Sequence, residues 1–248
     1  MKEEGRYFLK DSIRKEVDFS ETDQYRGVKP PPVYKPCPED CERITLPQPE
    51  DPGGVLLWDA IQNRASRRNY NWDPLSVEEL SFLLWATQGM KEKPEGGHAK
   101  RVVPSAGCRH ALETYLALFR VPGLSKGIYR YLPTEHALVA VSRPEAVESL
   151  TARAALGQAF AGAGAVTFFW TAVPYRMEWR YGDASYKVIA LDAGHVCQNL
   201  YLACEAISAG ACAIAAYDQD EADKLLGVDG GEEFVVYMAA VGKVKHAG

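Results

Sequence analysis

The segment from Tyr186 to Ser208 constrains the fold more than any other stretch. Val188, Ile189, Leu191, Val196, Leu200, Leu202 and Ile207 recur at helical spacing but surround more than one face, and Gly210 supplies a stop. A helix that is apolar on several sides must be covered on several sides. It therefore belongs at the centre of a domain or at a dimer interface.

The remaining periodic segments supply the cover. Leu112 to Val121, GIYRY (127–131), ALVAV (137–141), AVTFFWTAV (165–173), ACAIAAY (211–217) and FVVYMAAVG (234–242) read as strands, the second and third joined as a hairpin and the last closing the sheet. Leu56, Leu57, Ala60 and Ile61 stripe a short helix, and Ser76 with Glu79 caps another through Leu84 to Gly89. Ser142 with Glu145 is expected to cap a helix towards Leu156, and Asp218 with Glu221 one that ends at Gly227. PYRMEWRYG (174–182) reads as an aromatic and charged loop. The class is α+β, with a mostly antiparallel central sheet flanked by helices.

Residues 1–52 stand apart. Pro30, Pro31, Pro32, Pro36, Pro38, Pro47, Pro49 and Pro52 bias them to extended conformations that cannot form a core alone. This proline-rich arm either is disordered or lies on the body or on a neighbouring subunit, with Tyr7, Phe8, Phe19, Tyr25 and Tyr34 as anchors; the working domain is residues 53–248. A formal net charge of -5 without a basic block argues against a nucleic-acid binder. The uncharged run 159–173 is too short and too glycine-rich for a membrane helix, which needs about 20 residues. No apolar leader segment is read at the N-terminus. The six cysteines contain no CxxC, so reduced thiols, a cytoplasmic location and no metal site are expected.

Three stretches carry chemistry. In NRASRRNYNW (63–72), Arg64, Ser66 and Arg68 would alternate onto one side if the chain leaves the helix extended, with Arg67 turned to solvent. Two guanidiniums and a hydroxyl can then converge on one anion, although a solvated basic turn has the same composition. In RVVPSAGCRH (101–110), Pro104, Ser105, Ala106 and Gly107 combine a stiff residue with small ones, which admits a flat ligand or a tight turn. The third stretch is LDAGHVCQNL (191–200) with ACAIAAYD (211–218). Gly162 and Gly164 do not open a dinucleotide fingerprint, because Thr167 replaces the third glycine and a strand follows. Asp192 and His195 lie one turn apart but have no third metal ligand.

Taken in order, R-x-S-x-R (64–68), LSFLLWATQG (80–89), PSAG and LETY (104–107, 112–115), GIYRY, LDAGHVCQNL and GEEF (231–234) resemble the nitroreductase family of FMN-dependent oxidoreductases. The similarity covers about residues 55–242 and is nearest to the branch of azoline dehydrogenases that form thiazoles and oxazoles in modified peptides. It implies a nitroreductase-like fold and a homodimer with the long helix at the interface. It also implies a ping-pong reaction in which NADH or NADPH reduces FMN, and the flavin then reduces a small acceptor such as a nitroaromatic or quinone.

By the same resemblance, Arg64 and Ser66 bind the FMN phosphate and ribityl chain, and Arg68 lies at the pyrimidine edge. Pro104, Ser105, Ala106 and Gly107 reach the flavin from the other subunit, and the backbone amides of Ala215 and Ala216 meet its ring. Some relatives carry an acidic residue and a glycine where this chain has the two alanines. Lys243 or Lys245 takes the place of a basic pair further on in many relatives. Trp179 and Tyr181, with Tyr175 and Arg180, are candidates for an aromatic wall over the substrate. No residue is assigned as catalytic, because the cofactor carries the chemistry. A peptide-tailoring dehydrogenase and a flavin-binding protein without turnover are the rival readings.

Overall fold

The computed structural model of the chain describes residues 2–38 and 41–244. Its strands are β1 (Arg43–Thr45), β2 (Leu112–Leu118), β3 (Gly127–Leu132), β4 (Ala137–Ser142), β5 (Val166–Ala172), β6 (Ala209–Ile214) and β7 (Phe234–Lys243). Among the described residues they form one seven-stranded sheet in the order β1-β4-β3-β2-β5-β7-β6, antiparallel throughout. The helices are α1 (Lys2–Leu9), α2 (Leu57–Asn63), α3 (Val77–Gln88), α4 (Val147–Ala154), α5 (Tyr175–Tyr181), α6 (Ser185–Ala206) and α7 (Gln219–Leu226).

Period-two alternation divides the sheet into two cores. Leu112, Leu116, Phe168 and Trp170 face one cluster with Leu80, Leu84, Val196 and Leu200, whereas Tyr115, Ala117 and Phe169 face a second with Val147, Ala154 and Leu226. Helices α3 and α6 therefore cover one face, and α4 and α7 the other. Complete burial of side chains such as Leu116, Phe168 and Phe169 contributes about 1.5–3 kcal/mol each. β7 runs between β5 and β6, so the final strand sits inside the sheet and β6 forms its edge. Its Met238, Ala239, Ala240 and Val241 are fully buried between the helices that cover the two faces of the sheet.

Local signals locate most element ends. The Ser76–Glu79 capping box is formed in both directions, and the Asp218 side chain accepts from the Glu221 amide. Ser142 instead ends β4, and α4 starts at Val147; Pro144 disfavours helical geometry at the residue before it and delays the helix. The segment 174–182 is not a loop: it contains α5, which buries Arg176, Met177 and Trp179 and ends at Gly182 with φ 53. α6 stops at Ala206, four residues before Gly210, because Ser208 turns to φ 54 and β6 begins at once.

The proline-rich arm lies on the body. Prolines remove amide donors but leave carbonyls, and the body offers buried side-chain donors to meet them. Trp179 Nε1 donates to the Val28 carbonyl, Arg109 to Pro31, Arg101 to Val33, and Arg130 to Lys35 and Pro36. Beneath them Glu113 pairs with Arg176 at 2.6 Å and accepts the Lys35 amide. The arm then adds β1 to the edge of β4. Cys37 and Cys41 form a disulfide within it, which corrects the expectation that all six thiols are reduced; four, Cys108, Cys197, Cys204 and Cys212, are free.

Candidate functional site

After α2, Arg64 adopts φ -52 and ψ 122, so the chain leaves the helix extended. It runs along the edge of β6: Ser66 bridges Ala211, the Arg67 amide donates to the Ala211 carbonyl at 2.9 Å, and the Asn71 amide donates to Lys243 at 2.9 Å. Glycines in the sheet make room for it. A Cβ on Gly210 would stand 2.7 Å from Arg67 Cδ, and one on Gly242 2.8 Å from the Tyr70 ring. Arg67 is thus laid over the strand rather than turned to solvent, with its buried Nε unpartnered.

The site is electropositive and held by an aromatic support. The Arg64 guanidinium stands 5.2 Å from the centre of the Tyr201 ring, and Arg68 5.5 Å from that of Phe160. The Tyr201 hydroxyl accepts the Ala213 amide at 2.8 Å and lies 2.9 Å from Ser66 Oγ. With its lone pair taken by Ala213, the phenol can donate to Ser66, which leaves the serine proton free for a ligand. Among the described residues no carboxylate lies within ion-pair distance of Arg64, Arg67 or Arg68. Ser66 to Asn71 and Val244 bound a cleft of about 640 Å³. Beside Arg68, burial pushes the Cys212 thiol up while the guanidinium opposes the shift.

The other expected residues occupy three further places. Ala215 and Ala216 follow β6 and are exposed, with Gln158 donating to the Ala216 carbonyl. Ala215 also borders an apolar groove of about 510 Å³ with Ile189, Ala193 and Tyr237. Pro104, Ser105, Ala106 and Gly107 lie elsewhere. Ser105 Oγ accepts the His110 amide, and a Cβ on Gly107 would stand 2.7 Å from the Tyr181 hydroxyl. The small residue there fits Tyr181, and Ser105 also contacts Asp192, whose carboxyl burial pushes up. Tyr201 is nine residues further along α6, about 13.5 Å at the helical rise, so this loop and the arginine cleft stand at separate stations of one helix.

Two assignments change. Trp179 is buried under the arm, with Arg109 over its ring at 4.8 Å, so it presents no face to a substrate; Tyr181 remains partly exposed beside Gly107. Lys243 turns away from the arginines, pairing with Glu79 and donating to the Ile207 carbonyl at the end of α6. Its rival, Lys245, lies outside the described residues. Sequence reading missed Tyr201, Phe160 and Tyr237, aromatics that only the folding of distant segments brings to the site.

The nitroreductase family profile matches residues 61–243. A protein of Methanocaldococcus jannaschii assigned to the nitroreductases is 30% identical over 204 residues, 82% of this chain and 98% of its own. The trifolitoxin-processing protein TfxB of Rhizobium leguminosarum bv. trifolii is 28% identical over 66% of this chain and 40% of its own. A crystal structure of a protein from Ralstonia eutropha assigned to the nitroreductases superposes with a TM-score of 0.68 at 26% identity, covering 87% of this chain and 98% of that one. More distant likenesses show the fold alone. They include a chain of the Escherichia coli microcin synthetase complex (TM-score 0.62, 20% identity, 78% of this chain and 75% of that one) and the NADPH:FMN oxidoreductase of Vibrio harveyi (0.53, 15%, 77% and 69%). The edge-bound arginine segment, the long central helix and the profile match over most of the chain agree, and the protein is a member of the nitroreductase family.

Proposed function

We propose that the protein is an FMN-dependent oxidoreductase that works as a homodimer and uses NADH or NADPH to reduce a small acceptor such as a nitroaromatic or quinone. The observation that carries this reading is the cleft lined by Ser66, Arg67 and Arg68, whose guanidiniums meet no carboxylate among the described residues and which, with a serine hydroxyl that can donate, suit a phosphate dianion. When bound, FMN supplies the transfer of two electrons. Arg64 and Ser66 hold its phosphate and ribityl chain, Arg68 offsets negative charge at the pyrimidine edge, and the amides of Ala215 and Ala216 face the ring. Pro104 to Gly107 serve the second copy's site. Lys243, engaged by Glu79, leaves the phosphate to the arginines. Residues 53–248 form the FMN domain and residues 1–52 its clamped arm. A cytoplasmic location belongs to this reading, and the Cys37–Cys41 bridge is the feature a reducing compartment would open.

A second reading is a peptide-tailoring dehydrogenase of the azoline type, favoured by the likeness to a toxin-processing protein. An absorbance spectrum of the purified protein, taken without oxygen before and after adding NADH or NADPH, tests both. Flavin peaks that bleach support the first reading, and flavin that does not bleach moves the protein to the second. Absence of flavin after reconstitution with FMN overturns the cleft assignment. Arg64→Ala is expected to weaken FMN binding at least tenfold, since a charge-assisted contact contributes about 1.5–3 kcal/mol; unchanged affinity would remove Arg64 from the site.

A further inference from the structure

The apolar groove beside Ala215 has one wall from outside the nitroreductase core. α1 contributes Phe8 to it, opposite Ile189 and Ala193 of α6 and Tyr237 of β7. No residue of α1 is buried, so the helix adds nothing to the cores, and its eight residues include Gly5. A helix of that length with a central glycine does not persist in water without a tertiary anchor. The anchor is aromatic. Phe8, 45% exposed, and Tyr186 line both this groove and a second hollow of about 490 Å³, which Ile13 and Ala184 share with charged residues such as Glu3, Lys10 and Asp183.

The groove selects by chemistry as well as shape. Among the described residues no charged side chain lines it, which favours a neutral ligand, since an ion would lose its hydration without a partner. Its aromatic sides favour a flat one. Tyr237 borders the groove as a neutral phenol hydrogen-bonded to Cys197, with burial first pushing its hydroxyl up to about 12.

We propose that Phe8 is the specificity-determining residue of this groove: its ring caps a neutral planar acceptor, and its size sets how many fused rings the groove admits. The proposal rests on the FMN reading above for the ligand's role as acceptor. It does not rest on it for the binding itself, so the first readout is binding. Equilibrium dialysis of the full chain, with and without FMN, is run against neutral quinones of one, two and three fused rings. Phe8→Ala is expected to lower one-ring affinity several-fold and raise three-ring affinity about tenfold, while Phe8→Trp shifts the preference the other way. FMN content is measured in both variants; it should stay within about twofold of the wild type, because the phosphate contacts of Arg64 and Ser66 lie outside this groove, although Ala215 borders it. Where NADH or NADPH bleaches the flavin, the ratio of kcat/KM for three-ring over one-ring quinones should follow the same order. Equal ring-size preference in all three proteins, with FMN retained, overturns the proposal and leaves the FMN reading intact. Loss of the preference shift together with absent flavin overturns both.

Discussion

At Tyr201 a single hydroxyl joins the β6 edge to the arginine segment, accepting from Ala213 and meeting Ser66. Tyr201→Phe leaves the Ala213 amide without an acceptor and should cost about 1–3 kcal/mol, read as a lower urea midpoint. Arg64 keeps its ring partner, so FMN affinity should fall less than in Arg64→Ala. His110 offers a second test at this scale. Its ring is buried against Ala99 and surrounded by Arg101, Arg176 and Arg109; burial first, then those cations, push it down to about 3. The unfolded chain, with an ordinary histidine near 6.5, binds the proton first, so stability is complete above about pH 6.5 and falls with acidity towards about pH 3. The slope should approach about 1.4 kcal/mol per pH unit. Denaturant midpoints between pH 7 and pH 4 should flatten in His110→Gln, and an unaltered slope would assign the acid sensitivity to other groups.

Among the elements, the arm is held through carbonyls. Arg130 is almost wholly buried, lies 3.7 Å from Glu113, and donates to Lys35 at 2.7 Å and Pro36 at 3.0 Å. Arg130→Ala removes these bonds together, while Arg176 still neutralises Glu113. A loss of about 1.5–3 kcal/mol for the charge-assisted bonds to the arm is expected, with faster proteolytic cleavage in residues 28–38 than elsewhere. Cleavage at the wild-type rate would mean that the arm is held by something other than its carbonyls. The stripe predicted on α2 does not face a core: of Leu56, Leu57, Ala60 and Ile61 only Ala60 is buried, and Trp58 beside them is 75% exposed.

For the whole molecule, that exposed stripe and Leu191 on the outer side of α6 are the surfaces a second copy would cover. Trp58→Glu should leave the thermal midpoint of the monomer within a few degrees, because the side chain lies outside both cores. The same substitution should shift the mass measured by light scattering from a dimer towards a monomer. A wild-type protein that is monomeric at micromolar concentration would remove the composite site from the proposed function.

The sequence by itself determined six of the seven described strands, the caps of α3 and α7 and the long helix. Each follows from periodicity, a breaker or a capping side chain within a few residues, and those forces act locally. It also carried the family through motifs in order. It did not determine partners. β1, which forms only by pairing with β4, and the extended exit at Arg64, which the sequence left as one of two alternatives, were decided by the fold. That Arg67 lies on Gly210, that Trp179 is roofed by the arm, and that Lys243 answers Glu79 are decided by segments distant in the chain. The α5 helix was hidden for the same reason: its charged and aromatic letters look like a loop until Arg176 meets Glu113 and Trp179 meets Val28. Side chains of one composition serve as surface, core or site according to what the fold sets opposite them, and only tertiary register makes that choice.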